Sequence, residues 1–404
     1  MIDQKELCEP VEPEYSGNNP SLEVSIVIPC LNEARTLPAC LAKANAAIQH
    51  HKLQGEIIVV DNGSEDGSPL IAKLHGARVI SCSQKGYGAA LMAGISSASA
   101  PYIVMGDADN SYDFSEIFPF IEKLRQGFDL VMGCRFPQAG GNIRPGAMPW
   151  LHRWVGNPIL SGLGRLFFQS PVTDFHCGLR AFKRETISAL NLRSTGMEFA
   201  SEMVIKATLH QAKITEIPIT LHKDGRNRSP HLRTWRDGWH HLRFMLMYCP
   251  RWLFFIPGSA LLLLGSILGA RLFLGPIHIG GVTFDTNTML ISSMAILVGF
   301  NLITFAFISK IFAISTGLLP HSPKIEAWTQ SIKLEQGIIL GLLTVFIGLG
   351  FLVGGVLFWQ NHAFGPLSYP DSLRLIIPGT TALTLGVEII FSSFLMSILL
   401  LKRK

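Results

Sequence analysis

Charge is scarce in this sequence. Asp, Glu, Lys and Arg make up 16% of the 404 residues, against the ~25% usual for soluble domains. The deficit is uneven. Residues 251–404 hold long apolar runs, whereas 1–250 read as an ordinary soluble domain. No continuous block of Lys or Arg occurs, so the net charge of +5 does not argue for nucleic acid; the basic residues border apolar segments, which suits a membrane surface. The cysteines (Cys8, Cys30, Cys40, Cys82, Cys134, Cys177, Cys249) are odd in number and form no C-x-x-C pair. That argues against a disulfide framework and for reduced, cytosolic thiols. An apolar leader is lacking too. Residues 1–22 carry Asp3, Glu6, Glu9, Glu12 and Glu14, so a disordered polar tail is expected there, with no signal peptide.

What is present alternates between strand and helix. Val24–Ile28 is a short β-rich run, followed by a helical pattern through Leu37, Leu41, Ala44 and Ile48. Glu56–Asp61 reads as a second strand, Asp66–Leu74 as a helix and Ala77–Ser81 as a strand. The glycine turn Lys85-Gly-Tyr-Gly88 opens a helix over 89–99. Tyr102–Met105 is a strand leading to Asp107, residues 115–126 are helical, and Asp129–Gly133 is another strand. Wholly apolar strands at this spacing predict an α/β domain with a mostly parallel sheet covered on both faces. Ligands of such sheets sit beyond the carboxyl ends of the strands, where Asp61, Asp107 and Arg135 fall.

Four apolar runs follow, at about 253–275, 288–314, 337–359 and 376–401, each near or above the ~20 residues that cross a bilayer. They predict an all-α transmembrane domain of four helices over 253–404. A juxtamembrane amphipathic helix is expected over 233–252, and an interfacial helix over 147–170, where Trp150, Trp154, Ile159 and Leu166 mix with Arg153 and Arg165. Arg233, Arg236, Arg243 and Arg251 precede the first run, Lys324 and Lys333 lie in the loop 315–336, and Lys402-Arg-Lys404 ends the chain. The loop 276–287 has neither Lys nor Arg. The positive-inside rule then places both termini and the soluble domain on the cytoplasmic side.

Asp107 and Asp109 are the main chemical candidates. Two carboxylates this close repel unless a cation joins them. Mg²⁺ or Mn²⁺ suits such hard oxygens, and a diphosphate completes the coordination. Asp61 ends a strand, where an acid can accept from a ribose or base. A lipid phosphate acceptor would need cations, and the stretch from Lys223 to Arg243 supplies several. Glu198 and Glu202 stand one helical turn apart and share a face.

The strings Ile28-Pro-Cys-Leu-Asn-Glu33, Val59-Val-Asp-Asn-Gly-Ser-Glu-Asp-Gly67, Lys85-Gly-Tyr-Gly-Ala-Ala90 and Gly106-Asp-Ala-Asp109 occur in that order. Together they resemble the family-2 glycosyltransferases of GT-A fold, and most closely the polyprenyl-phosphate sugar synthases. The resemblance covers about 22–250, with the catalytic domain over 23–232. It implies that Pro29, Leu31, Glu33, Val59, Asp61 and Lys85 line the nucleotide-sugar pocket, together with Asp107, Ala108 and Asp109. It implies that Asp107 and Asp109 hold the metal, and that Arg135 reaches the phosphates. Acceptor and phosphate contacts fall to Arg135, Asp174, Arg180, Glu202, Lys223, Arg226, Arg228 and Arg233. Pro230 stands where the family carries a lysine. Asp174 is an acceptor-loop organiser or a base; an anionic phosphate acceptor needs no base.

The expected activity is inverting transfer of a hexose, glucose or mannose, from a UDP- or GDP-sugar to a polyprenyl phosphate at the cytoplasmic membrane face. The expected partners are that donor, that lipid and the membrane, with no nucleic acid and with self-association left open. A processive polysaccharide synthase would carry Gln-x-x-Arg-Trp. The Arg-Trp pairs at 153–154 and 251–252 have Trp150 and Tyr248 in place of the glutamine. A non-catalytic membrane scaffold would not need Asp61, Asp107, Asp109 and Arg135 intact.

Overall fold

The computed structural model describes residues 22–226, 234–320 and 334–400. The chain divides into two compact units, Met1–Met245 and Leu246–Lys404.

In the first unit β1 (Val24–Cys30), β2 (Gly55–Asp61), β3 (Arg78–Ser81) and β4 (Tyr102–Met105) pair in parallel, in the order β3-β2-β1-β4. β5 (Leu130–Cys134) and β8 (Ile214–Pro218) continue the sheet, and β7 (Arg180–Lys183) lies antiparallel between β4 and β5. The seven strands form the mostly parallel α/β sheet expected. β7 carries Arg and Lys at two of its four positions, so its sequence gave no apolar signal for a strand.

The central strands are buried on both faces because helices cover them. α1 (Leu37–His50) turns Leu37, Cys40, Leu41, Ala44 and Ala47 inward, the spacing of one helical face. α2 (Ser68–Leu74) joins β2 to β3. α3 (Tyr87–Ser97) lies close against the sheet, since a Cβ at Gly94 would stand 2.4 Å from Val27 Cγ1 and 2.8 Å from Val60 Cγ2. α4 (Phe118–Arg125) packs Phe120, Ile121 and Leu124 into the core. The connection runs from β1 out to β2 and β3, then returns to β4 on the other side of β1. The carboxyl ends of β1 and β4 therefore flank the point where the strand order reverses, the usual place for a ligand.

α5 (Asn157–Phe168) follows a π-helical turn at His152–Gly156. Trp150, Trp154, Ile159 and Leu166 are exposed, while Gly164 faces Phe175, whose ring would meet an added Cβ at 2.7 Å. α6 (Arg184–Ala189) and α7 (Phe199–Leu209) precede β8, and α8 (Thr234–Met247) follows it. Two short strands, β6 (Asn142–Ile143) and β9 (Thr220–Leu221), pair apart from the main sheet.

The second unit has four helices long and apolar enough to cross a membrane: Arg251–Phe273, Thr286–Ser315, Leu334–Asn361 and Tyr369–Leu400. Glycines bring the first to the second and the third to the fourth. Gly299 sits against the backbone of Leu262, and Gly348 against that of Leu383, where a Cβ would come within 2.5 and 2.6 Å. Close approach through small residues is how helices associate in lipid, where apolar burial supplies no drive. The connection after the first helix is a hairpin of Ile277–Ile279 with Val282–Phe284, turned by Gly280 and Gly281 at φ +55° and +81°.

Candidate active site

The loop after β1 is stitched to the loop after β2. Asn32 holds φ +58°, donates its N–H to Ser64 Oγ at 2.8 Å and accepts from Glu65 N–H at 2.8 Å. Glu33 N–H donates to Ser68 Oγ, and Ala34 N–H to Asp66 Oδ2, each at 2.9 Å. Asp61, at the end of β2, accepts Ser64 N–H at 3.0 Å and Gly63 N–H at 3.2 Å, so part of its carboxylate shapes its own turn. Pro29 and Leu31, at the end of β1 and just after it, are half-buried. Val59 does not reach it. It is wholly buried within β2, which corrects its expected place in the pocket. The fully apolar run that made β2 legible is the reason: its side chains face the covering helices.

Asn62, in the turn after Asp61, ties in the third loop. Its amide donates to the carbonyls of Cys82 and Gln84, and its Oδ1 accepts Gly86 N–H at 2.8 Å. Lys85 Nζ donates to the Asn62 carbonyl at 2.9 Å. The glycines of the 85–88 turn answer to a neighbouring backbone. A Cβ at Gly86 or Gly88 would lie 2.2 Å from the carbonyl of Thr195 or Ser194, and Ala89 N–H donates to Thr195 at 3.1 Å.

Asp107 follows β4. Its Oδ1 accepts from Tyr87 Oη at 2.9 Å, and its Oδ2 lies against Gly178, where a Cβ would stand 2.6 Å away. Burial, and then the nearby charge of Asp109, push the Asp107 carboxyl up to about 6. Burial and Asp107 likewise push the Tyr87 hydroxyl well above its ordinary value, so it is a donor at neutral pH. Ala108 turns its methyl into the core, leaving only its backbone to the site. Asp109 Oδ1 accepts Ser111 N–H at 3.0 Å and Ser111 Oγ–H at 2.5 Å. Its Oδ2 lies 3.2 Å from Arg226 Nη1, and Arg226 Nε donates to Glu33 Oε1 at 2.7 Å. Arg226 thus joins the β1 loop to the acidic pair.

Arg135, just past β5, is only 6% exposed and makes a two-pronged ion pair with Asp174. Nε donates to Oδ2 and Nη2 to Oδ1, both at 2.7 Å, and the Arg135 N–H adds a third bond at 3.1 Å. Nη1 faces Tyr112 Oη at 3.4 Å, and that hydroxyl accepts Gly178 N–H at 2.8 Å. Glu216 on β8 holds the loop from behind, accepting the N–H groups of Thr173 and Asp174 and the Thr173 hydroxyl. Asp174 is therefore an organiser of the 173–178 loop, since both its oxygens are engaged by Arg135. Tyr87, Tyr112 and Glu216 carried no sequence signal, because each acts through a contact distant in the chain.

Two expected acceptor residues lie elsewhere. Arg180 is fully buried on β7 and donates to the carbonyls of Phe175, Cys177 and Ala200. Glu202 is fully buried on α7, accepting the N–H groups of Arg193 and Ser194 and pairing with Lys206 at 2.8 Å. Each is a structural clamp, because the polar atoms that would meet an acceptor are engaged inside the domain. Glu198 stands immediately before α7, with no side-chain hydrogen bond to the N–H groups of its first turn. Lys223 is exposed. Arg228, Pro230 and Arg233 lie outside the described residues. Among the described residues no cluster of three metal-ligating side chains occurs, and the six described cysteines are buried.

Residues 25–190 match Glycosyl transferase family 2, and residues 307–400 match the Glycosyltransferase family 2 C-terminal transmembrane region. The low-salt glycan biosynthesis hexosyltransferase Agl6 of Haloferax volcanii is 36% identical over 92% of this chain and 88% of its own. The chain belongs to glycosyltransferase family 2. Two further relatives match about half of it. A dolichyl-phosphate hexose transferase of the same organism is 29% identical over 49% of this chain and 82% of its own. An undecaprenyl-phosphate 4-deoxy-4-formamido-L-arabinose transferase of Salmonella paratyphi A is 30% identical over 50% of this chain and 60% of its own. This family-2 transferase thus joins a GT-A-type sheet to four apolar helices.

Proposed function

We propose that this transferase moves a hexose, glucose or mannose, from a nucleoside-diphosphate donor to a polyprenyl phosphate, with inversion, at the cytoplasmic face of a membrane. The observation that carries the reading is the pair of half-buried Asp107 and buried Asp109 at the reversal of strand order, where desolvation and mutual charge raise Asp107 to about 6. Two oxygen ligands with a charge deficit fit Mg²⁺ or Mn²⁺, and a diphosphate would complete the shell. Held by Asp107 and Asp109, a divalent ion would supply positive charge for a departing diphosphate. The residues around it do the remainder. Asp61 and the stitched loops at 31–33 and 62–64 hold the nucleoside. Tyr87 keeps Asp107 oriented. Arg135, fixed by Asp174 and Tyr112, sets the loop 173–178 beside Asp107. Lys223 and Arg226 supply cations for phosphate oxygens.

A phosphate acceptor arrives ionised, so its oxygen can attack the anomeric carbon with no proton to remove. The engagement of both Asp174 oxygens by Arg135 agrees with that. The relatives named for dolichyl- and undecaprenyl-phosphate transfer favour a polyprenyl acceptor. The concentration of Lys and Arg before the first apolar helix and in the loop 315–336 favours a cytoplasmic catalytic unit. The test is to incubate the purified chain with UDP-glucose, UDP-galactose or GDP-mannose, Mg²⁺ or Mn²⁺, and undecaprenyl or dolichyl phosphate. A glycosyl phospholipid from one donor supports the reading. Donors left intact with both lipids would overturn it.

A further inference from the structure

We propose that Arg226 is a resident cation of the donor site, paired with Asp109 and yielding that carboxylate when metal and nucleotide enter together. The inference rests on the donor-site reading above and concerns what that site does before it is loaded.

The guanidinium spans two carboxylates on different loops, Glu33 Oε1 at 2.7 Å and Asp109 Oδ2 at 3.2 Å. Neither contact is incidental to the chain path. Gly225 N–H donates to the Asp109 carbonyl at 3.0 Å, and His222 N–H to the Ser111 carbonyl at 2.9 Å. Residues 222–225 thus run along the backbone of the acidic loop. Gly225 approaches so closely that a Cβ would meet Thr36 Cγ2 at 2.8 Å. Thr36 in turn donates its hydroxyl to Glu33 Oε2 at 2.9 Å. Glu33, Thr36, Asp109, Ser111 and the 222–226 segment form one connected network in which the Arg226 guanidinium bridges the two carboxylates.

With Asp109 Oδ1 held by Ser111, Oδ2 is the oxygen left for a metal, and Arg226 is on it. A divalent ion and a guanidinium cannot share that oxygen without strong like-charge repulsion. Metal arriving alone must take Asp109 from Arg226, which then keeps Glu33 as its one carboxylate partner of the two. Metal arriving with a diphosphate brings phosphate oxygens, which a guanidinium fork accepts well. The network therefore makes metal and nucleotide bind as a pair. It also offsets part of the charge of the acidic cluster between turnovers.

The test is Mn²⁺ binding by the purified full-length chain, read from the electron paramagnetic resonance signal of free Mn²⁺, with and without UDP or GDP. Wild type, Arg226→Gln, Arg226→Lys and Asp109→Asn are compared, with circular dichroism to confirm folding. The wild type should bind Mn²⁺ weakly alone and much more tightly with nucleotide. Arg226→Gln should bind Mn²⁺ alone roughly tenfold tighter than wild type, with a smaller gain from nucleotide. Arg226→Lys, which keeps the charge but not the two-pronged reach, should fall between them, so the comparison survives if the glutamine variant misfolds. Mn²⁺ affinity unchanged or weakened in both Arg226 variants would overturn the resident-cation role. The donor-site reading would then still stand if nucleotide enhances Mn²⁺ binding by wild type. Equal Mn²⁺ binding by Asp109→Asn would overturn both.

Discussion

At the scale of single residues, the acidic pair was legible and its supports were not. Asp107 and Asp109 stood out because a buried strand runs into them, and Arg135 because it follows another. What the sequence could not display is that Arg135 is bound by Asp174, or that Tyr87 and Tyr112 fix Asp107 and Gly178. Those contacts join residues 20 to 66 positions apart. The raised Asp107 gives a signed prediction. Its folded value of about 6 lies above its ordinary 3.8. Between those values the folded metal-free chain binds a proton that the unfolded chain releases. Stability should therefore fall as pH rises from about 4 to 6 and level off above, by on the order of 3 kcal/mol in all. Thermal unfolding in chelator across that range should show the slope in wild type and lose it in Asp107→Asn. The same slope in the variant would contradict the assignment. A second prediction concerns Asp174→Ala, which leaves Arg135 buried without its partner. It should cost roughly 3–5 kcal/mol, seen as a large drop in the unfolding midpoint. A midpoint within a degree or two of wild type would show that the ion pair does not hold this loop.

At the scale of elements, β1, β2, β4 and β5 were readable because strands covered on both faces are almost wholly apolar. β7 was not, since Arg180 is buried there through backbone carbonyls that only the folded loop 175–177 and α7 provide. The glycines show the same division. The turn Lys85-Gly-Tyr-Gly88 was legible as a turn. That its glycines answer to the backbone of 194–195 was not, because the partner lies over 100 residues away. Gly88→Val should destabilise the catalytic unit by about 1–3 kcal/mol or more, as backbone cannot retreat from a Cβ at 2.2 Å. Gly67→Ala meets nothing within 4 Å and bears only its φ of +84°, roughly 1–2 kcal/mol. Urea unfolding of the two variants should rank them in that order. The reverse ranking would mean that the 194–195 contact is loose.

At the scale of the whole molecule, the four apolar helices were legible from length and composition. Their packing was less so, since glycines and isolated polar residues set it. Asn301 in the second helix donates to Glu388 Oε1 in the fourth at 3.0 Å, and Ser293 bonds Thr381 between the same helices. An acid within an apolar span is costly unless partnered. Glu388→Leu should weaken the second-to-fourth helix contact by about 1 kcal/mol, whereas Glu388→Gln should retain it. Thermal stability in detergent can compare them, and equal loss in both would show that the charge, not the hydrogen bond, matters.

The central claim is that Asp107 and Asp109 serve transfer of a hexose to a lipid phosphate. Its most direct test is the rate of glycosyl phospholipid formation by wild type and by Asp109→Ala, each with Mn²⁺ and with chelator. Wild type with Mn²⁺ should form product, and chelator should abolish it. Asp109→Ala should lose at least about a hundredfold in rate while remaining folded, the scale at which one preorganised charge contact acts in a transition state. Product formed at the wild-type rate by the variant, or undiminished in chelator, would contradict the assignment.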